Sequence, residues 1–166
     1  MPDLLVKLYD LPGVAGPRVR LAADGIVVRR AMAYEKRRVV GWVESAFGPA
    51  WADECDVAFA NQPRSCFIAT AGGSIEGFAC HDSTCRNFFG PMGVAEGARG
   101  RGIGAVLLLE CLHAMAGQGY AYAIIGGAKS GGIYRKVAGA SVIEGSTPGI
   151  YRDRLAAPGG VSGAGK

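Results

Sequence analysis

The chain has 166 residues, 49% of them hydrophobic and 19% charged, with a formal net charge of +4. That length and apolar share suit one folded domain with a substantial core and exclude a disordered chain. The charge excess is small and no long basic tract with interleaved aromatics occurs, so nucleic acid is not expected as a partner. A small anionic ligand accounts for the charge as well.

Leu4 to Tyr9 is a short apolar extended run, followed by a Gly/Pro-rich loop to Pro17. Gly25 to Arg30 carries the β-branched residues Ile26, Val27 and Val28 and predicts a strand. Tyr34 to Phe47 has helical spacing, with Val39, Val43 and Phe47 on one stripe, and Gly48-Pro49 ends it. Trp51 to Asn61 predicts a second helix, closed by Gln62-Pro63. Cys66–Ala71 and Gly77–His81 flank Gly72-Gly73-Ser74, a strong hairpin signal.

Phe88 to Val94 predicts a further strand, interrupted at Gly90-Pro91. Proline cannot donate to a ladder, so a bulge or a splay is expected there, leaving backbone groups open to a ligand. Ala105 to Ala116 is apolar nearly all round, broken only by Glu110 and His113, and predicts a helix buried against a sheet. Gly117 and Gly119 end it, and Tyr120 to Ile125 reads as a buried strand. A Gly-rich loop from Gly126 to Gly132 leads to a short helix, Ile133 to Ala138. The runs Ala140–Glu144 and Gly149–Leu155 predict two final strands, and Ala156 to Lys166 a flexible end.

This order predicts an α/β fold with a mixed, mostly antiparallel central sheet flanked by helices. It divides into an N-terminal extension with a short strand (1–24), a folded domain (25–155) and a tail (156–166). The run Leu4–Tyr9 offers an edge for pairing within the chain or with a second copy, which leaves a homodimer open. No apolar run approaches a membrane span and no secretory hydrophobic region opens the chain, so a soluble, cytoplasmic protein without membrane association is expected. The cysteines Cys55, Cys66, Cys80, Cys85 and Cys111 show no Cys-x-x-Cys spacing, and most sit in apolar runs. They are expected as buried reduced thiols. Cys80, His81 and Cys85 lack a second ligand pair at suitable spacing, so no metal is expected.

Between the interrupted strand and the buried helix lies Arg99-Gly100-Arg101-Gly102-Ile103-Gly104. A glycine-rich turn at a helix start leaves backbone N–H groups free, and the helix dipole adds partial positive charge there. Two arginines reinforce the preference for phosphate, and the segment reads as a diphosphate cradle. The ordinary P-loop pattern Gly-x-x-x-x-Gly-Lys-Ser/Thr is absent. Gly100-Arg101-Gly102 does not extend to the dinucleotide fingerprint, because Ala105 stands where its third glycine would be.

Arg99-x-x-Gly102-x-Gly104 resembles the Arg/Gln-x-x-Gly-x-Gly/Ala signature of the GNAT superfamily of N-acetyltransferases. Ile133-Tyr134-Arg135-Lys136-Val137-Ala138-Gly139-Ala140 is similar to that family's Phe-Tyr-x-x-x-Gly-Phe segment, with one residue more before the glycine and Ala140 in place of the aromatic. The resemblance implies acetyl-CoA as cofactor, lying between strands that part at the bulge. It implies that Met92, Gly93 and Val94 hold the pantetheine arm. The amides from Arg99 through Gly100, Arg101, Gly102 and Ile103 to Gly104 would take the pyrophosphate. Tyr134 is implied as the general acid toward the departing thiolate. Ser130 stands in weakly for an Asn that many relatives carry before this helix.

The implied reaction is direct attack by a primary amine of a small molecule or peptide. Many relatives place a carboxylate on the strand before the cradle, but Asn87 to Val94 has none. Asp82 is the tentative base, with Glu44 and a water chain as alternatives. Asp53, Glu54 and Asp56 offer charge for a cationic amine or form a solvated helix face. Trp42, Phe47, Trp51, Phe59 and Tyr151 wall an acceptor pocket or belong to the core. A non-catalytic acyl-CoA-binding or sensing module is the alternative function, favoured by the missing strand carboxylate.

Overall fold

A computed structural model describes residues 1–128 and 132–155. Seven strands form one sheet: β1 (Leu4–Lys7), β2 (Ile26–Arg30), β3 (Cys66–Ala71), β4 (Ser74–His81), β5 (Phe88–Val94), β6 (Tyr122–Ile125) and β7 (Ser141–Val142). Their spatial order is β2-β3-β4-β5-β6-β1-β7. Among the described residues five α-helices accompany them: α1 (Ala15–Ala23), α2 (Lys36–Phe47), α3 (Pro49–Ala60), α4 (Ile103–Gly117) and α5 (Gly132–Ala138). No described helix is long and apolar enough to cross a membrane.

The hairpin forms as its turn residues dictate. Gly72 and Gly73 both take positive φ (55° and 83°), which matches the twist of the flanking strands. Along β3 and β4 the side chains alternate between two cores. Ile68, Phe78, Cys66 and Cys80 face the helices α2 and α3, whereas Phe67, Ala69 and Ala79 face the core built on α4. α2 buries Val39 and Val43 on one stripe, and Gly48 at φ 94° turns the chain directly into α3.

α4 explains its own composition. It buries Ile103, Val106, Leu107, Leu108, Leu109, Cys111, Leu112 and Met115, so almost every face is covered. It carries the crossover from β5 to β6, which pair in parallel, while every other neighbouring pair is antiparallel.

Three expectations change. The expected loop to Pro17 contains α1, because Pro17 falls in the helix's first turn, where a backbone N–H is not needed. The run Gly149–Leu155 is not a strand. Pro148 is helical and Gly149 has φ 60°, and the Tyr151 amide donates to Pro148 O at 3.1 Å, closing a turn of 3-10 helix over Gly149–Tyr151. The run Leu4–Tyr9 forms a strand only to Lys7 and turns into a 3-10 helix at Leu8–Asp10. The expected flexible end, Ala156–Lys166, lies outside the described residues.

β1 is an inner strand. It pairs with β6 (Leu4 to Ile125, Val6 to Ala123) and with β7 (Leu4 to Val142), and Leu4 and Val6 are buried in the α4 core. Leu4→Ala should therefore lower stability by about 2–5 kcal/mol, read as the urea midpoint at unchanged slope. Val27→Ala, on the exposed face of edge strand β2, should leave the midpoint nearly unchanged.

Candidate active site

β5 and β6 pair only at Phe88 with Ile124 and Phe89 with Ile125. Beyond Phe89 the two strands part, and among the described residues the edge of β5 from Gly90 to Val94 has no strand beside it. The cause lies on the other edge. Between the pairs Ala79–Met92 and His81–Phe89 the register with β4 shifts, so β5 carries one extra residue there. Gly90 takes φ 125°, a conformation closed to most side chains, and Pro91 has no N–H to give. The bulge expected at Gly90-Pro91 is where the sheet opens.

The opening is a cleft of about 1000 Å³. Its walls include Gly90, Pro91 and Met92 of β5, Ile125 and Gly126 after the parting, and Ile133 and Tyr134 of α5. Gly104 sits at the end of this wall. A methyl group placed there would meet Ile133 Cδ1 at 3.4 Å, Val94 Cγ2 at 3.7 Å and Met92 Cε at 4.0 Å. The cradle is therefore continuous with the cleft. Gly126 is far more constrained: a Cβ on it would lie 2.4 Å from the Tyr151 hydroxyl, whereas the Gly104 contacts are ordinary van der Waals distances.

The cradle itself turns on glycine. Gly100 (φ 79°) and Gly102 (φ 88°) are both left-handed, and Gly102 is the N-cap of α4. Its carbonyl accepts the Val106 N–H at 3.2 Å and so starts the helix. Among the described residues no acceptor takes the amides of Gly100, Arg101 or Gly102, and the first amides of α4 point the same way out of the helix. Arg99 folds back, with Nε donating to Val94 O at 3.3 Å, and fastens the loop to the end of β5. Arg101 is exposed and remains available to an anion.

Tyr134 is half-buried, its ring edge-on to Phe89 at 6.1 Å between centroids. Burial pushes its hydroxyl above the ordinary tyrosine range, so it stays protonated at neutral pH. Met92 and Val94 are half-buried beside the cradle, and Gly93 is buried between β4 and Phe47. Ser130 lies outside the described residues.

Asp82 is committed to the turn between β4 and β5. One carboxylate oxygen accepts the Asn87 N–H at 2.7 Å and the other lies 3.0 Å from His81 Nδ1. Its side chain is buried and is not part of the cleft wall. The structure thus engages Asp82 in the turn and does not bring it into the cleft beside Tyr134. His81 is fully buried, and burial lowers its tendency to charge.

Other polar and aromatic groups line the same cleft. Asp53 and Glu54 of α3, Thr84, Trp51 and Tyr151 all line the cleft. Glu54 is half-buried and accepts the Thr84 hydroxyl at 2.6 Å. Asp3 lies further back, with one carboxylate oxygen accepting the Gly127 N–H at 2.9 Å and so fixing the chain just past β6. No sequence signal pointed to Asp3, whose partner is 124 residues away.

A family model described as the Acetyltransferase (GNAT) family matches residues 22–139. No curated protein matches the sequence. Among solved structures, the glucosamine N-acetyltransferase region of a fungal multi-domain beta-N-acetylglucosaminidase superposes with TM-score 0.69 at 16% identity, covering 86% of this chain and 19% of that one. A GCN5-related N-acetyltransferase from Sphaerobacter thermophilus superposes with TM-score 0.61 at 20% identity over 86% of this chain and 48% of that one. A GNAT family acetyltransferase from Brucella melitensis, in complex with acetyl-CoA, gives TM-score 0.54 at 20% identity over 71% and 86%. The chain thus spans less than half the length of the first two. At these identities the likeness is one of fold.

Replacing Gly102 by Ala should cost about 1–2 kcal/mol through its left-handed backbone, read as a lower Tm. Gly97→Ala, in open space without positive φ, should leave Tm nearly unchanged.

Proposed function

This chain belongs to the GNAT acetyltransferase family, and from that premise we propose that it moves an acetyl group from acetyl-CoA to a primary amine of a small molecule or peptide. The observation carrying this reading is the unpaired β5 edge, Gly90 to Val94, running into the left-handed glycines of the cradle. The fit to the cofactor is chemical. A diphosphate needs several N–H donors at a place without side chains, and the loop from Gly100 to Gly104 supplies them. A pantetheine arm carries amides, and an unpaired strand edge offers the matching donors and acceptors.

Bound acetyl-CoA would supply an activated thioester carbonyl. The residues here hold, orient and protonate. Met92 and Val94 lend backbone groups to the arm, and a backbone N–H at Val94 or beside it polarises the carbonyl. Tyr134 would donate its hydroxyl proton to the sulfur that leaves the thioester carbon when an amine nitrogen takes its place. Glu54, which lines the cleft beside Asp53, would attract the cationic amine and take the proton it sheds, directly or through water. It replaces Asp82 in that role, because a base must reach the acceptor end of the cleft.

Tyr134→Phe should lower kcat by about 100-fold or more, with the KM for acetyl-CoA changed only a few-fold, measured as thiol release across an amine panel. Acetyl-CoA binding with no thiol released from it in the presence of any amine would instead favour the non-catalytic module. In the pH profile, kcat/KM should rise with pH as the amine loses its proton. The alkaline fall due to Tyr134 should lie above about pH 10, because burial raises this hydroxyl and the donor form persists to higher pH. Tyr134→Phe should remove that alkaline limb.

A further inference from the structure

Cys55, Cys66 and Cys80 meet beneath the acceptor end, in the core between the hairpin and the helices α2 and α3. Cys66 and Cys80 are direct partners across β3 and β4, so both thiols leave the same face of the sheet. Cys55 descends onto them from α3. The three sulfurs lie within 4.8 Å of one another, with Cys55 and Cys66 at 3.9 Å, and all three residues are fully buried. The proposed acyl transfer uses none of them.

Three sulfurs at this spacing converge on one point. An ion with bonds of about 2.3 Å to sulfur sits among three sulfurs spaced up to about 4 Å apart. A pyramidal ion with a lone pair holds its three sulfurs nearer about 3.3–3.5 Å apart, so the widest pair, at most 4.8 Å, contracts by up to about 1.5 Å. No other His, Cys, Asp or Glu joins the group among the described residues, so the protein supplies three ligands.

Charge selects the kind of ion. Three thiolates around a monovalent ion leave two negative charges in an apolar core, and around a divalent ion they leave one. Buried net charge is costly. A trivalent ion leaves none. Structural zinc also calls for a fourth ligand, whereas trivalent arsenic and its congeners are complete with three sulfurs and a lone pair.

We propose that Cys55, Cys66 and Cys80 form a buried three-thiol site for a trivalent thiophilic ion of the arsenite class. Binding forms three sulfur–arsenic bonds and breaks three arsenic–oxygen and three sulfur–hydrogen bonds. Three waters leave, and no atom changes oxidation state. The uncharged hydroxide present at neutral pH is small enough to enter through local opening of α3. This site stands independently of the acyl-transfer reading.

The test uses reduced full-length protein carrying Cys85→Ser and Cys111→Ser, which removes the exposed thiol and the buried one outside the cluster. Arsenite should add one atom per chain, seen in the intact mass as one arsenic less three hydrogens, and should raise Tm. Zinc(II) at equal concentration should do neither. Cys80→Ser on that background should weaken arsenite binding about tenfold or more by removing one sulfur of three. Should that variant fail to fold by circular dichroism, Cys55→Ala on the helix replaces it. The proposal is overturned by the absence of a one-to-one adduct at millimolar arsenite, by an equal adduct in the two-thiol variant, or by zinc binding in arsenite's place.

Discussion

The parting of β5 from β6 is the constraint on which the site depends. A parallel pair would ordinarily zip along its length, but here it closes at Phe88 and Phe89 only. The extra residue in β5 bends that strand, and the Gly90-Pro91 pair makes the bend affordable by tolerating positive φ and withholding a donor. Backbone groups that would have bonded a neighbour then face a cleft. Burying them without partners would cost about as much as a lost hydrogen bond each, so they need the open cleft, where water or a bound group can satisfy them.

Keeping such a gap open requires that everything around it be rigid. α4 supplies one brace, buried on nearly all sides with its N-terminus at the cradle. β1 supplies another by holding β6 from the far side, which stops β6 from swinging across the gap. Asp3 extends that hold to Gly127, and Tyr151 packs over Gly126, so the β6 wall is fastened from both termini of the chain. Loss of this bracing would leave a four-residue strand to close or drift.

The second core, under α2 and α3, shapes the other end. Phe47, Trp51 and Phe78 stack with ring centroids 5.3–6.2 Å apart, which sets α3 against the hairpin. α3 then presents Asp53 and Glu54 to the cleft on one side and Cys55 to the buried thiols on the other. Neighbouring residues of one helix thus serve two different environments. Their assignment follows from rotation about the helix axis, about 100° per residue at 3.6 residues per turn.

What the sequence determined by itself is whatever local chemistry dictates. Gly72-Gly73 made the hairpin, Gly90-Pro91 made the bulge, and Gly100 and Gly102 turned the cradle, each because glycine permits the positive φ taken there. The all-round apolar α4 and Tyr134 on its short helix were legible for the same reason. Local signals also misled: Pro17 read as a loop residue though it fits a first helical turn, and Gly149–Leu155 read as a strand though Pro148 and Gly149 turn it into a 3-10 helix. Only the tertiary structure decided that β1 lies inside the sheet, that Asp3 holds Gly127, that Asp82 serves its turn, and that Glu54 reaches the cleft. Those outcomes depend on which distant segments meet, and residue spacing along one chain carries no distance between elements that fold onto each other.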